Sequence, residues 1–223
     1  MDRRTTRPQK PRLPSHLPLL SDHVLTDDSE LFGLTIQGDF SDQRGGEVII
    51  EETHILHASF VGADLHRLRL VDVLVEGADF SGADMEEASF SRVEFTECRM
   101  SGTLIPRARL QDVTFTECKL NGANFRMSEA ERILFDHVDL RGTEFSAGRF
   151  PSACFYDCDL TDADFAQALV GGARFHGSAL TDLKGGEYLR DIVIDSAQVL
   201  PLALRVFSSL GIRVEDDREI PEA

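Results

Sequence analysis

Apolar residues recur in this chain every five positions. From Phe60 to Leu180, each of the 25 residue numbers divisible by five carries Leu, Phe, Met, Ile or Val, except Ala130. Two places before each stands a small side chain, as in Ala63, Ala78, Ala83, Ala88, Ala123 and Ala163, and in this second set only Leu68 and Ile133 are larger than valine. An amphipathic helix would repeat near 3.6 and a half-buried strand near 2, so neither fits. Residues two apart in an extended segment point to the same side. The small and the large residue of each unit therefore face inward, and the other three face solvent or turn a corner. Repeating the unit winds the chain around its own apolar axis as a β-solenoid.

The number of units per coil is also legible. Phe95, Phe115, Phe135, Phe155 and Phe175 are spaced by twenty, as are Gly62, Gly82, Gly102, Gly122 and Gly142, and Cys98, Cys118 and Cys158 keep the same period. Twenty residues in four units predict a four-sided coil, with equivalent residues stacked about 4.8 Å apart. Residues 48–184 hold about seven such coils, a rod roughly 33 Å long at strand spacing. No loop interrupts the lattice between 60 and 180, and it weakens only over 126–134, where Ala130 and Ile133 both depart from the pattern.

The ends read differently. Residues 21–47 carry Leu31, Phe32, Leu34, Ile36 and Phe40 out of register, which predicts an irregular first coil or capping strand. Residues 1–20 hold four prolines and a net charge of +4, and are expected to be a disordered basic tail. Residues 185–223 are expected to form a helical cap followed by an acidic tail. A helix should start at Asp195 or Ser196 and stop at Gly211, with Pro201 limiting its first turn. It is apolar nearly all round: beyond the one stripe a cap needs, it has a second apolar face drawn from Leu200, Leu204 and Phe207 or from Val199, Leu202 and Val206. Either a second copy of the chain covers the extra face through a two-fold dimer, or residues 187–194 and the tail do.

Units such as Ala63-Asp64-Leu65, Ala78-Asp79-Phe80, Ala123-Asn124-Phe125 and Ala163-Asp164-Phe165 resemble the A(D/N)LxX signature of the pentapeptide-repeat family. The resemblance implies an all-β, right-handed quadrilateral β-helix. It extends to a bacterial subgroup that binds DNA gyrase, mimics duplex DNA, protects against quinolones and often dimerises through a C-terminal helix. Several gyrase-protecting relatives carry loops projecting from the coil, and this lattice has none between 60 and 180.

Charge shapes the functional reading. The formal net charge is −16, and residues 48–183 account for −11 of it. An acidic body disfavours direct nucleic-acid binding, which needs cations to displace phosphate counterions. On the side carrying Phe95 to Phe175, the outward places include Glu76, Glu94, Glu97, Glu117, Asp136 and Asp157, opposed in the lattice by Arg174 alone. Like charges stacked at strand spacing cost stability, so the stripe suggests a partner with a basic DNA-binding groove, such as gyrase or another topoisomerase. A generic interaction scaffold, or an acidic surface kept for solubility, are the alternatives.

Catalytic chemistry is not expected. His54-x-x-His57 has no further ligand at metal-site spacing, the glycines fall at corners rather than in a phosphate loop, and no cofactor or metal is implied. Cys98, Cys118 and Cys158 occupy inward small places, whereas Cys154 stands in the outward place before Phe155. With no CxxC pair, no long apolar run and a proline-interrupted N-terminus, a cytoplasmic, soluble protein is the expectation.

Overall fold

The structure, a computed structural model, describes residues 7–21 and 23–212. Each five-residue unit forms one side of a coil because the fourth residue after the small inward position, two past the central apolar one, lies in the left-handed region. Arg67, Asp72, Gly77 and Gly82 have φ of 58, 54, 60 and 66° in one circuit. At two corners the turn closes with a hydrogen bond of the type II pattern, as from Ala63 N–H to the Phe60 carbonyl (3.1 Å) and from Leu68 N–H to the Leu65 carbonyl (3.0 Å). A non-glycine residue in this region costs on the order of 1 kcal/mol and persists where the surroundings over-determine it. Here bonding to the coils on either side does so.

The strands are β1 (Leu19–Leu20), β2 (Glu30–Phe32), β3 (Thr35–Ile36), β4 (Ile49–Leu56), β5 (Arg69–Glu76), β6 (Ser89–Thr96), β7 (Arg109–Thr116), β8 (Glu129–Asp136) and β9 (Cys154–Tyr156). From β4 onward they pair in parallel at an offset of twenty residues, as in Ile50↔Leu70, Leu70↔Phe90 and Phe90↔Leu110. β5 to β8 each span two sides of the coil, bending at the left-handed residue, for example Asp72 in β5. The other two sides stack through single bridges such as Asp79↔Arg99 and Asp84↔Leu104. Four-sided parallel winding follows.

Both inward columns are buried. Phe95, Phe115, Phe135, Phe155 and Phe175 stack face to face at 4.8, 5.1, 5.0 and 4.8 Å between ring centres. Phe125, Phe145 and Phe165 form a second stack on the opposite side, edge-on to the first, with Phe125 and Phe145 6.2 and 6.0 Å from Phe135. Stacked and edge-to-face aromatics both gain beyond the area they bury. The weak stretch does not interrupt the winding: Ala130 remains paired with Leu110 and is buried.

At the N-terminal end the register changes. Leu31 and Ile36 pair with Ile50 and Ile55, an offset of nineteen, whereas Asp39 already pairs with Ser59 at twenty. Leu31, Ile36 and Phe40 are buried; Phe40, expected out of register, is instead in it, stacked 5.0 Å from Phe60 twenty residues on, while Phe32 is exposed and Leu34 half-buried. The irregular first coil is thus one residue short.

The expectation of a disordered tail over 1–20 needs correction for residues 7–20. β1 pairs with β3, Leu19↔Thr35 and Leu20↔Ile36. Upstream, the Gln9 backbone N–H donates to Asp112 Oδ1 (2.9 Å) and that of Arg12 to Asp72 Oδ1 (3.0 Å). The prolines that suggest disorder in isolation instead hold the chain extended, and the rod supplies carboxylates where main-chain donors fall. Residues 1–6 lie outside the described residues.

At the other end, Gly185-Gly186 leaves the lattice. A short 3₁₀ turn, Ser196–Gln198, precedes helix α1, Val199–Ser209, so the helix proper starts later than Asp195 or Ser196. Pro201 sits in its first turn. The Gln198 side chain accepts from the Asp195 N–H (2.7 Å) and its amide donates to the Phe175 and Ser178 carbonyls, tying the turn to the last coil. Gly211, φ 71°, closes the helix: its N–H bonds the Ser208 carbonyl and that of Ile212 the Phe207 carbonyl. Residues 213–223, where the acidic tail was expected, lie outside the described residues.

Candidate protein-binding face

Two adjoining sides of the rod, joined along the corner column 72-92-112-132, carry the features of interest. In that column Asp72, Arg92, Asp112 and Arg132 alternate in sign at successive coils. Arg92 Nε and Nη2 donate to Asp72 Oδ1 and Oδ2 at 2.6 Å each. Arg132 repeats the fork on Asp112 at 2.6 and 2.9 Å. The Arg92 bonds hold the Asp72 carboxyl below the usual carboxylate range. Burial alone would raise Asp112, but the Arg132 fork and the Gln9 N–H outweigh it and hold that carboxyl low as well. The five-residue reading of the sequence missed this column because it attends to inward places. The sign alternation at a spacing of twenty is the signal that could have found it.

The six acidic residues singled out from the sequence lie on the neighbouring side and its far corner. Glu76, Glu94 and Asp136 stand on the flat, half-buried, and each has a basic neighbour: His54 Nε2 at 2.7 Å, Lys10 Nζ at 4.0 Å and His137 Nδ1 at 2.8 Å, respectively. Glu97, Glu117 and Asp157 are left-handed corner residues, exposed, and in no ion pair among the described residues. The structure therefore brings the six together as an edge of free carboxylates beside a flat whose carboxylates are engaged. Arg174 is not their sole counter-charge, since Lys10 and the histidines contribute.

His54 and His57 do not form a ligand pair: His54 bonds Glu76, while the His57 ring lies over Gly77. Asp136, His137 and Asp157 can bring three ligand atoms within 4.8 Å of one another. They are an open group at the surface whose histidine Nδ1 already bonds Asp136, and the same bond raises the imidazole above its usual range. Cys98, Cys118 and Cys158 are buried, their thiols directed at main-chain carbonyls of the preceding coil, and burial pushes the Cys158 thiol up to about 12. Cys154, in an outward place by sequence, is also buried. The groove it lines is bounded by Arg7 and Pro8 of the N-terminal segment, together with Tyr156 and Leu134.

On α1, Leu202 is buried and Val206 packs on Gly186, so this pair faces the chain's own last coil rather than a partner. Val199, which the sequence reading grouped with them, is exposed together with Leu200, Leu204 and Phe207. By the 100° advance per residue Val199 lies about 20° from Val206, on the same stripe, but it is the first residue of the helix.

The five-residue winding decides the family. A model of the "pentapeptide repeat region" matches residues 88–165, and one of "pentapeptide repeats (8 copies)" matches 69–105 and 158–184. The chain belongs to the pentapeptide-repeat family. Among solved members, QnrB1, a plasmid-mediated fluoroquinolone resistance protein, is 19% identical, with 86% of this chain and 100% of that chain covered and a TM-score of 0.40. HetL, involved in heterocyst differentiation regulation in the cyanobacterium Nostoc sp. strain PCC 7120, is 17% identical, covering 72% and 88%, at 0.40. A pentapeptide-repeat protein of the Arabidopsis thaliana thylakoid lumen is 21% identical, covering 58% and 74%, at 0.32. No curated protein matches the sequence. Among the described residues no helix is long and apolar enough to cross a membrane.

Proposed function

We propose that this pentapeptide-repeat protein is a non-enzymatic binding protein whose acidic side mimics duplex DNA toward a protein with a basic DNA-binding groove, DNA gyrase or another topoisomerase. The carrying observation is the exposed corner column of Glu97 and Glu117 at successive coils and Asp157 two coils further on, past His137, whose three carboxylates are in no ion pair among the described residues. Fixed on a stiff rod, they present a line of negative charge already ordered before binding. A basic groove is attracted to it over a Debye length, about 8 Å at physiological salt. Complementarity of this kind sets association rate and specificity and weakens with salt. The bacterial gyrase-binding subgroup that the repeat units resemble supplies the named partner. A cytoplasmic location follows from that reading.

In a supercoiling assay with the purified chain, gyrase activity or its poisoning by a quinolone is expected to change at micromolar protein, and Glu97→Lys with Glu117→Lys to abolish the change. No effect of the wild-type chain, with or without drug, sinks the gyrase reading. Binding of another partner that survives the charge reversal would favour the generic scaffold.

The exposed stripe of α1 supports a two-fold dimer, because Leu200 and Leu204 remain 68% and 52% accessible in one chain. Leu204→Glu should convert the chain to a monomer in sedimentation equilibrium while its circular dichroism stays unchanged. A monomeric wild type disposes of the dimer.

A further inference from the structure

Residues 7–18 lie along the side of the rod that carries the proposed partner-binding carboxylates, and they fit it in register as well as in charge. Gln9 and Arg12, whose N–H groups bond Asp112 and Asp72, are three residues apart in the segment. Their acceptors are two coils apart, about 9.6 Å at strand spacing. Three residues of polyproline-like chain rise about 9.3 Å. Pro8, Pro11 and Pro14 recur at the same interval of three, and Pro8 and Pro11 each stand immediately before one of the two donors. Proline fixes φ and carries no N–H of its own, so the spacing of prolines sets which amides remain available to the rod. The alternating column Asp72-Arg92-Asp112-Arg132 offers a carboxylate at every second coil, which is the repeat such a segment can follow.

Charge agrees with the register. Arg7 lines a groove with Asp136 and Tyr156, Lys10 Nζ stands 4.0 Å from Glu94, and the Arg12 main chain bonds Asp72. The side chains of Gln9, Lys10 and Arg12 are nevertheless exposed, and Pro8 and Pro11 only half-buried. The segment lies on the surface, outside the core.

We propose that this side of the rod is a binding surface for an extended basic peptide with prolines at intervals of three, that residues 7–18 are its resident occupant, and that a basic partner must displace them to engage the face. The proposal rests on the reading of this side as the partner-binding one. A tethered occupant competes at an effective concentration in the millimolar range, so a small cation is a poor competitor and a partner presenting several charges at once is favoured. If the segment occupies the face nine-tenths of the time, partner affinity is reduced about tenfold.

The test uses the full chain with Gln9→Cys carrying a maleimide fluorophore, since the four native cysteines are buried. The expected result is a fall in anisotropy when a synthetic peptide of residues 7–18 is added at millimolar concentration, or gyrase at micromolar. In a second chain, the strap-only variant Lys10→Glu/Arg12→Glu, which touches no core residue, the label should start mobile and gyrase bind about tenfold more tightly or better. An anisotropy unmoved by the peptide, or equal gyrase affinity for both chains, overturns the proposal. If gyrase binds neither chain while the peptide still frees the label, the gyrase reading falls and the strap stands. If gyrase binds without freeing it, the strap falls and gyrase uses another face.

Discussion

Truncating Phe135 to alanine is expected to lower the unfolding free energy by about 3–5 kcal/mol, the range for emptying a buried phenylalanine site. The ring is fully buried between Phe115 and Phe155, 5.1 and 5.0 Å away, with Phe125 and Phe145 edge-on at 6.2 and 6.0 Å. Four aromatic neighbours would lose contact at once. Collapse into the space is hindered because each neighbour is held in its own stack by a coil whose backbone is bonded above and below. In a solenoid, stability is close to a sum over coils and nearest-neighbour interfaces, so a central loss of this kind weakens both interfaces it touches. Urea unfolding followed by circular dichroism measures the change. Phe32→Ala, at a residue 62% accessible on the irregular first coil, is the control and should stay within about 0.5 kcal/mol. A Phe135→Ala loss no larger than that of the control would mean that the aromatic columns do not carry the core.

How much of this was legible in the sequence depends on where a residue points. Inward positions repeat without slipping, so the four-sided coil, the aromatic column and the glycine corner could be read from spacing alone. The outward face could be read only as a set of residues sharing a side. Of that set Glu97, Glu117 and Asp157 stand exposed and outside any ion pair among the described residues, whereas the partners that occupy Glu76, Glu94 and Asp136 come from histidines one coil away or one residue along, and from Lys10 far along the chain. A proline-rich basic stretch contains nothing in itself that distinguishes a tail from a strap. The difference lies in the surface that meets it, and that surface exists only once the coils are stacked. Cys154 follows the same logic, being outward by lattice yet buried, in a groove it shares with a segment distant in sequence. For α1, composition announced an excess of apolar surface, but the orientation that buries Leu202 and exposes Val199 is set by the 3₁₀ turn and the Gln198 bonds to the last coil.

Asp112→Asn is expected to cost about 3 kcal/mol near neutral pH, within the range for removing one member of a buried ion pair. The Asp112 side chain is 2% exposed and accepts the forked Arg132 guanidinium, itself 19% exposed, so the amide would leave Arg132 short of its counter-charge in a poorly hydrated place. Partial access of Arg132 to water keeps the loss at the lower end. The pH dependence follows from the sign of the shift. Asp112 and Asp72 both titrate below their unfolded value in the folded chain, so the folded state holds fewer protons on them than the unfolded state does. Their contribution is present in full above the unfolded carboxylate pKa, about 3.9, and is lost as pH falls through the lower folded value. Wild type should therefore lose stability between about pH 5 and pH 2, and Asp112→Asn should lose less of it, so that the two urea-unfolding curves converge in acid. A constant gap between them across that range would show that Asp112 acts through packing and hydrogen bonding alone, with its charge contributing nothing to the column that ties one coil to the next.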